Sequence, residues 1–176
     1  MTTAPNVTLR RGEPRDAAAL AELGARTFSD TFLAENDPDD IAAFLRDTFS
    51  PEKQASELAD AATTYLVAEV DGALVGYAML QRGPAPECVG GGSPIEIGRL
   101  YVAREQLGRG VGEALMARCV EDARIAGHDT IWLGVWERNP RAIRFYERWG
   151  FRRVGEHVFV VGKDPQNDLL YARSLL

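Results

Sequence analysis

The amino-acid sequence predicts a mixed α/β (α+β) fold, with one sheet of antiparallel and parallel neighbours flanked by helices, and three observations carry that prediction. Apolar residues recur at helical spacing in some stretches and gather in short β-type runs in others. The β-type runs are joined both by tight turns and by long connections that contain helices, which requires a mixed sheet. The chain has 176 residues, 45% hydrophobic and 26% charged, the size and composition of a single globular domain spanning 1–176.

The elements follow in order. A short strand at residues 7–10 comes first. From Pro14, suited to a first helical turn, Ala18, Leu20, Leu23 and Thr27 keep helical spacing and predict a first helix. Asp39 or Asp40 can cap a second, in which Ile41, Phe44, Leu45, Thr48 and Phe49 repeat with the helical period, and Ser50-Pro51 closes it and opens a third. The period then changes. TYLVAEV (64–70), the Asp71-Gly72 turn and ALVGYAMLQ (73–81) read as a β-hairpin, followed by the loop RGPAPECVGGGSP, expected to be mobile. Residues 95–102 form the next strand. They lead through a glycine-rich stretch into a helix with Leu115, Met116, Cys119, Val120 and Ala123 on one face, ended by Gly127. Thr130–Trp136 reads as a buried strand. Asn139 and Pro140 supply an N-cap and first-turn proline for a short helix that ends at Gly150, and two last strands, 151–161 and 168–175, flank the turn GKDPQN. That makes about seven strands, with no internal repeat.

Charge is divided unevenly along the chain. Of the net −6, residues 30–60 carry nine acids against Arg46 and Lys53, a net of −7, whereas residues 99–153 carry eleven arginines and seven acids, a net of +4. An acidic front half and a basic back half suit two ligands of opposite charge, although solvated helix faces produce the same pattern. The acidity argues against nucleic acid as a partner, because phosphate-binding surfaces are basic stripes with aromatic partners. Cys88 and Cys119 suggest neither a disulfide framework nor a metal site, and the expectation is no metal and a reducing compartment. The start, MTTAPNVTLRRGEP, lacks the apolar core of a signal peptide, and no run of 18 apolar residues is present to span a membrane. A cytoplasmic protein with no membrane partner is expected.

The stretch that carries chemistry is LGRGVG, residues 107–112. Strand, glycine-rich turn and helix start is the arrangement in which backbone N–H groups converge on a phosphate and the helix dipole favours its charge. Glycine permits the tight backbone and the close approach. No Lys-Ser/Thr pair follows Gly112, so this is not a P-loop, and G-x-G-x-G late in the chain is not the dinucleotide fingerprint. An ordinary tight turn explains the spacing equally well.

A second element, NPRAIRFYERWGF (139–151), follows about 30 residues later. Taken together, IGRLYV, LGRGVG and this stretch, in that order, resemble the GNAT superfamily of N-acetyltransferases, over essentially the whole chain. TFSDTF (27–32), IWLGVWERN (131–139), GEHVFVVG (155–162) and DLLYARSL (168–175) are similar to the Pai-type polyamine N-acetyltransferases. The resemblance implies a mostly antiparallel, seven-stranded sheet and acetyl-CoA as co-substrate. It also implies a primary amine as acceptor, with spermidine or spermine favoured and a peptide N-terminus, amino acid or aminoglycoside as alternatives. A catalytically idle acyl-CoA-binding module is the rival from another class, and a homodimer is compatible with the resemblance.

The resemblance also implies roles for particular residues. Leu100, Tyr101 and Val102 would contact the pantetheine arm through their backbone. Leu107, Gly108, Arg109, Gly110, Val111 and Gly112 would form the pyrophosphate cradle. Leu107 stands where the family has Gln or Arg, which leaves the cradle to backbone N–H groups, with Arg109 adding charge. Asn139 matches a coenzyme contact. Tyr146 matches the tyrosine that protonates the departing sulfur, although on spacing alone it reads as an aromatic packed beside Trp149. Acetyl transfer also needs the amine neutral and the developing oxyanion stabilised. Glu96 on its strand and His157 in GEHVF are the candidate bases. Asp30, Glu35, Asp37, Asp39 and Asp40 are the candidate acceptor-site carboxylates, because the first two helices wall that site in the family.

Overall fold

The computed structural model describes residues 6–176, so the first five residues of the N-terminal stretch read above lie outside the description. Seven strands form one sheet: β1 (Val7–Arg11), β2 (Thr63–Val70), β3 (Ala73–Arg82), β4 (Pro94–Val102), β5 (Thr130–Trp136), β6 (Arg152–Val161) and β7 (Asp164–Ser174). Their spatial order is β1-β2-β3-β4-β5-β7-β6. Every neighbouring pair is antiparallel except β4 and β5. Five helices flank the sheet: α1 (Ala17–Phe32), α2 (Pro38–Thr48), α3 (Pro51–Ala59), α4 (Val111–Ile125) and α5 (Pro140–Arg148). Among the described residues, no helix is long and apolar enough to cross a membrane.

The parallel junction shapes the molecule. β4 and β5 pair only at Pro94–Thr130, Ile95–Ile131 and Glu96–Trp132. Beyond this point they separate, because each is held by its other neighbour: β5 runs in register with β7 from Thr130 to Trp136, and β4 follows β3. The pairing of β3 with β4 shifts between Met79 and Leu80, which leaves Gly98 as the extra residue and bends β4 away from β5. The result is a wedge in the middle of the sheet.

α4 packs on one face through the row expected from its spacing, Leu115, Met116 and Cys119 being fully buried. α1 and α3 cover the other. α3 is fastened to the sheet by Arg99 of β4, which ion-pairs with Glu57 at 2.8 Å and shares that carboxylate with the Tyr65 hydroxyl. An aromatic subcore of Phe28, Phe49 and Ile41 with Phe32, Phe44 and Phe159 joins α1 and α2 to the β6–β7 hairpin.

Three expectations about local structure need correction. The cap of α2 is Asp37, whose carboxylate accepts from the Asp39 and Asp40 amides, because Pro38 occupies the first helical position. The last hairpin turns within Gly162–Lys163, so β7 starts at Asp164 and absorbs most of the stretch read as turn. The loop after β3 is tied down: a single 3-10 turn (Glu87–Val89) packs Val89 against Trp132 and Leu170.

Candidate active site

The wedge opens into a cleft of about 910 Å³. Its walls are residues 97–102 of β4 and 133–136 of β5. The loop and first turn of α4, the inner face of α5, residues between Thr27 and Phe32 of α1, Phe159 of β6 and Asp168 of β7 complete the lining.

At one end stands the glycine loop. Gly108 (φ 76°) and Gly110 (φ 89°) are left-handed, with open space where a side chain would begin, so glycine is needed there for backbone conformation. Gly112 is ordinary helix. A Cβ on it would lie 3.7 Å from the Phe145 ring and 3.8 Å from Val102, inside the cleft, so there the absent side chain leaves room. No side chain caps α4, and the N–H groups of Val111, Gly112 and Glu113 head the helix without an intrahelical acceptor. Such a terminus fits a diphosphate: free donors, positive dipole and unobstructed approach. Val111 contributes only backbone, its side chain being fully buried. Leu107 lines the cleft as an exposed apolar residue, beside Gln106, whose buried Oε1 has no partner among the described residues. Arg109 is exposed and outside the lining. Arg104, Arg141, Arg144 and Arg148 supply the cationic wall instead.

Along the middle, Leu100, Tyr101 and Val102 form the β4 edge from which β5 has withdrawn, so this backbone is open to a ligand. Asn139 lines the cleft and caps α5, its side-chain oxygen accepting from the Ala142 amide at 3.3 Å, which commits the oxygen and leaves its NH2 group for a ligand. Tyr146 projects from α5 into the cleft. Its ring packs edge-on against Phe145 and Phe151 (5.5 and 5.9 Å) where Trp149 was the expected neighbour; Trp149 instead donates to Glu113 across to α4. Burial pushes the Tyr146 phenol well above its ordinary range, so it holds its proton at neutral pH.

The other end is acidic and aromatic. Phe28, Phe32, Tyr101, Trp136 and Phe159 surround it, with Phe32 stacked on Trp136 at 4.5 Å. Asp30 alone of the five acidic candidates lines the cleft. Glu35 pairs with Arg138 at 3.3 Å and lines a smaller neighbouring pocket. Asp37 is spent on its cap, Asp39 is exposed, and Asp40 holds the β6–β7 turn by accepting from the Lys163 amide. The structure therefore does not bring Asp37, Asp39 and Asp40 to the cleft.

Nor does it bring either candidate base there. Glu96 lies where β4 and β5 still pair, before the strands part; it is half-buried, burial raises its carboxyl, and it lies outside the lining. His157 is exposed on edge strand β6, also outside the lining, directly opposite Asp168 of β7.

Asp168, which the sequence reading passed over, does line the cleft. Its Oδ1 is shielded from solvent and has no hydrogen-bond partner among the described residues, and burial pushes its carboxyl up to about 6, against a smaller opposing pull from His157. Its Oδ2 lies 3.1 Å from the place a Cβ on Gly134 would take. A signal was available: Asp168 is in phase with buried Leu170 on a strand whose other face, Leu169 and Tyr171, is buried as well.

A sequence model of the Acetyltransferase (GNAT) family matches residues 19–151. An uncharacterized N-acetyltransferase from the pepI 3′ region of Lactobacillus delbrueckii subsp. lactis is 35% identical over 162 residues, covering 92% of this chain and 94% of its own. Streptothricin acetyltransferase of Streptomyces lavendulae is 29% identical, covering 88% and 87%. The crystal structure of PaiA N-acetyltransferase from Thermoplasma acidophilum in complex with coenzyme A superposes with a TM-score of 0.78 at 19% identity, covering 96% of this chain and 99% of that one, a likeness of fold. With the split β4–β5 pair and the uncapped α4 terminus, the match places the sequence: the chain belongs to the acetyltransferase (GNAT) family.

Proposed function

We propose that this cleft carries acetyl from acetyl-CoA to the primary amine of a small cationic acceptor, with spermidine or spermine as the favoured acceptors. One observation supports this reading above the rest: a single cleft has free helix-terminal N–H groups and arginines at one end, and two carboxylates among aromatic rings, Asp30 and Asp168, at the other. An anionic coenzyme and a cationic amine suit those ends, and between them the free β4 edge can receive the pantetheine arm.

The thioester supplies the activated acetyl group; the chain's residues do the rest. Gly108–Gly112 and the α4 N–H groups hold the diphosphate. The backbone of Leu100–Val102 orients the arm and polarises the carbonyl. Tyr146, a phenol protonated at neutral pH, gives a proton to the departing sulfur. Asp30 and the aromatic rings hold the ammonium or its apolar stem. The aromatic lining also favours a second reading, an acceptor with a bulkier apolar body, and one relative is named for streptothricin. Thiol release from acetyl-CoA, measured against polyamines, amino acids, N-terminal peptides and aminoglycosides, tests the proposal. The highest kcat/KM is expected with a polyamine. Release only with another class replaces the acceptor, and coenzyme binding without release for any amine favours the idle binding module.

A further inference from the structure

We infer that Asp168 is the base that takes the proton from the acceptor's ammonium group, and that His157 behind it is the exit of that proton to solvent. The inference rests on the proposed transfer and deepens it. Asp168 lies on β7 opposite Trp136 of β5 on one side and His157 of β6 on the other, so it sits between the cleft it lines and an exposed imidazole. Its shielded Oδ1 is unpartnered. A buried carboxylate oxygen without a partner is unfavourable, and an ammonium group is the complement that removes the penalty. Gly134 gives the carboxylate its place, since a side chain there would begin 3.1 Å from Oδ2. The Cε1 of His157 is 3.4 Å from the same point, so imidazole and carboxylate share one small space.

The titratable groups facing Asp168 are His157 from β6 and Tyr101 from β4, whose phenol burial and the Asp168 charge both push up, to about 12; Asp30 of α1 lines the same cleft, and β5 contributes Gly134 and Trp136. The protons balance. The ammonium gives one to Asp168, which passes it by way of a bridging water to His157 and so to solvent, since no direct hydrogen bond joins the two side chains among the described residues. The neutral nitrogen forms a bond to the thioester carbonyl carbon as the carbon–sulfur bond breaks. The sulfur takes the Tyr146 proton, and the second nitrogen proton returns to Tyr146 through water in the cleft.

The test is the pH profile of kcat and kcat/KM for the wild type, Asp168→Asn, Asp168→Glu and His157→Gln, with acetyl-CoA affinity and melting temperature measured on each. For Asp168→Asn, kcat is expected to fall about 10²–10⁴-fold, the range for a lost acid–base group, with coenzyme affinity unchanged. The wild-type fall in rate on the acid side disappears in that variant, and Asp168→Glu restores part of the rate. His157→Gln slows turnover less and moves the acid limb. A raised KM with unchanged kcat in a folded Asp168→Asn protein would make Asp168 only an anchor and overturn the inference, as would an unchanged profile. A wild type that turns over no amine overturns the transfer reading and this one together.

Discussion

If Asp168 is kept for chemistry, the fold is less stable for it, and the cost has a definite pH dependence. The perturbation is Asp168→Asn, which keeps the shape and removes the charge. Burial raises the folded carboxyl to about 6 from an ordinary 3.8. The sign follows. Between these values the folded chain holds a proton that the unfolded chain has lost, so stability is greatest below about 4 and is lost as pH rises through about 6. The full difference corresponds to about 3 kcal/mol, and the solvent that reaches part of the group screens it to about 2 kcal/mol. For a chain of this length that is roughly 4–8 °C in melting temperature. Melting curves of both proteins from pH 4 to 8 give the difference directly: the two should coincide near pH 4 and separate as pH rises, with the Asn variant the more stable above pH 7. Curves that stay parallel across the range would refute the reasoning, because the ionised form would then carry no burial penalty.

Two further expectations concern the ends of the cleft. Gly110→Asp places its side chain in open space, so the fold should hold at a cost of about 1–2 kcal/mol for the left-handed backbone. Calorimetry should nevertheless show acetyl-CoA affinity about tenfold or more weaker, a loss of roughly 1.4 kcal/mol or more, from a carboxylate set against the diphosphate. At the other end, Asp30→Asn should raise the Michaelis constant for spermidine about fivefold, roughly 1 kcal/mol of charge-assisted attraction, whereas Asn at positions 37, 39 and 40 should leave it unchanged in steady-state assays. Asn still caps α2, so that triple variant keeps its fold.

How much of this is legible in the sequence depends on the range of the interaction involved. The helical spacing of Leu115, Met116 and Cys119, the Asp71-Gly72 hairpin and the Asn139-Pro140 helix start are local signals, and the structure shows each of them. The glycine loop also reads locally, because positive φ at Gly108 and Gly110 is a property of the backbone itself. Asp37 shows where local reading slips: with Pro38 at the first helical position the cap lies two residues earlier than Asp39. The acidic, aromatic end of the cleft is non-local. Whether a carboxylate reaches the cleft depends on the point at which β4 and β5 part, which separates Glu96 from the cleft, and on the return of β7 beside β5, which delivers Asp168. Neither is written in residue spacing. Charge counting therefore gathers Asp37, Asp39 and Asp40 with Asp30, although only Asp30 faces the ligand space.

In the proposed reaction acetyl transfer takes place in this cleft, with Tyr146 supplying the proton to the departing sulfur. The most direct measurement is turnover and acetyl-CoA affinity on one purified Tyr146→Phe protein. The variant keeps the ring and its edge-on contacts with Phe145 and Phe151, and removes only the hydroxyl. Turnover should fall about 10²–10⁴-fold while affinity and melting temperature hold. Unchanged turnover in the folded variant would contradict the account, and a loss confined to affinity would make Tyr146 a coenzyme contact with no part in the proton transfer.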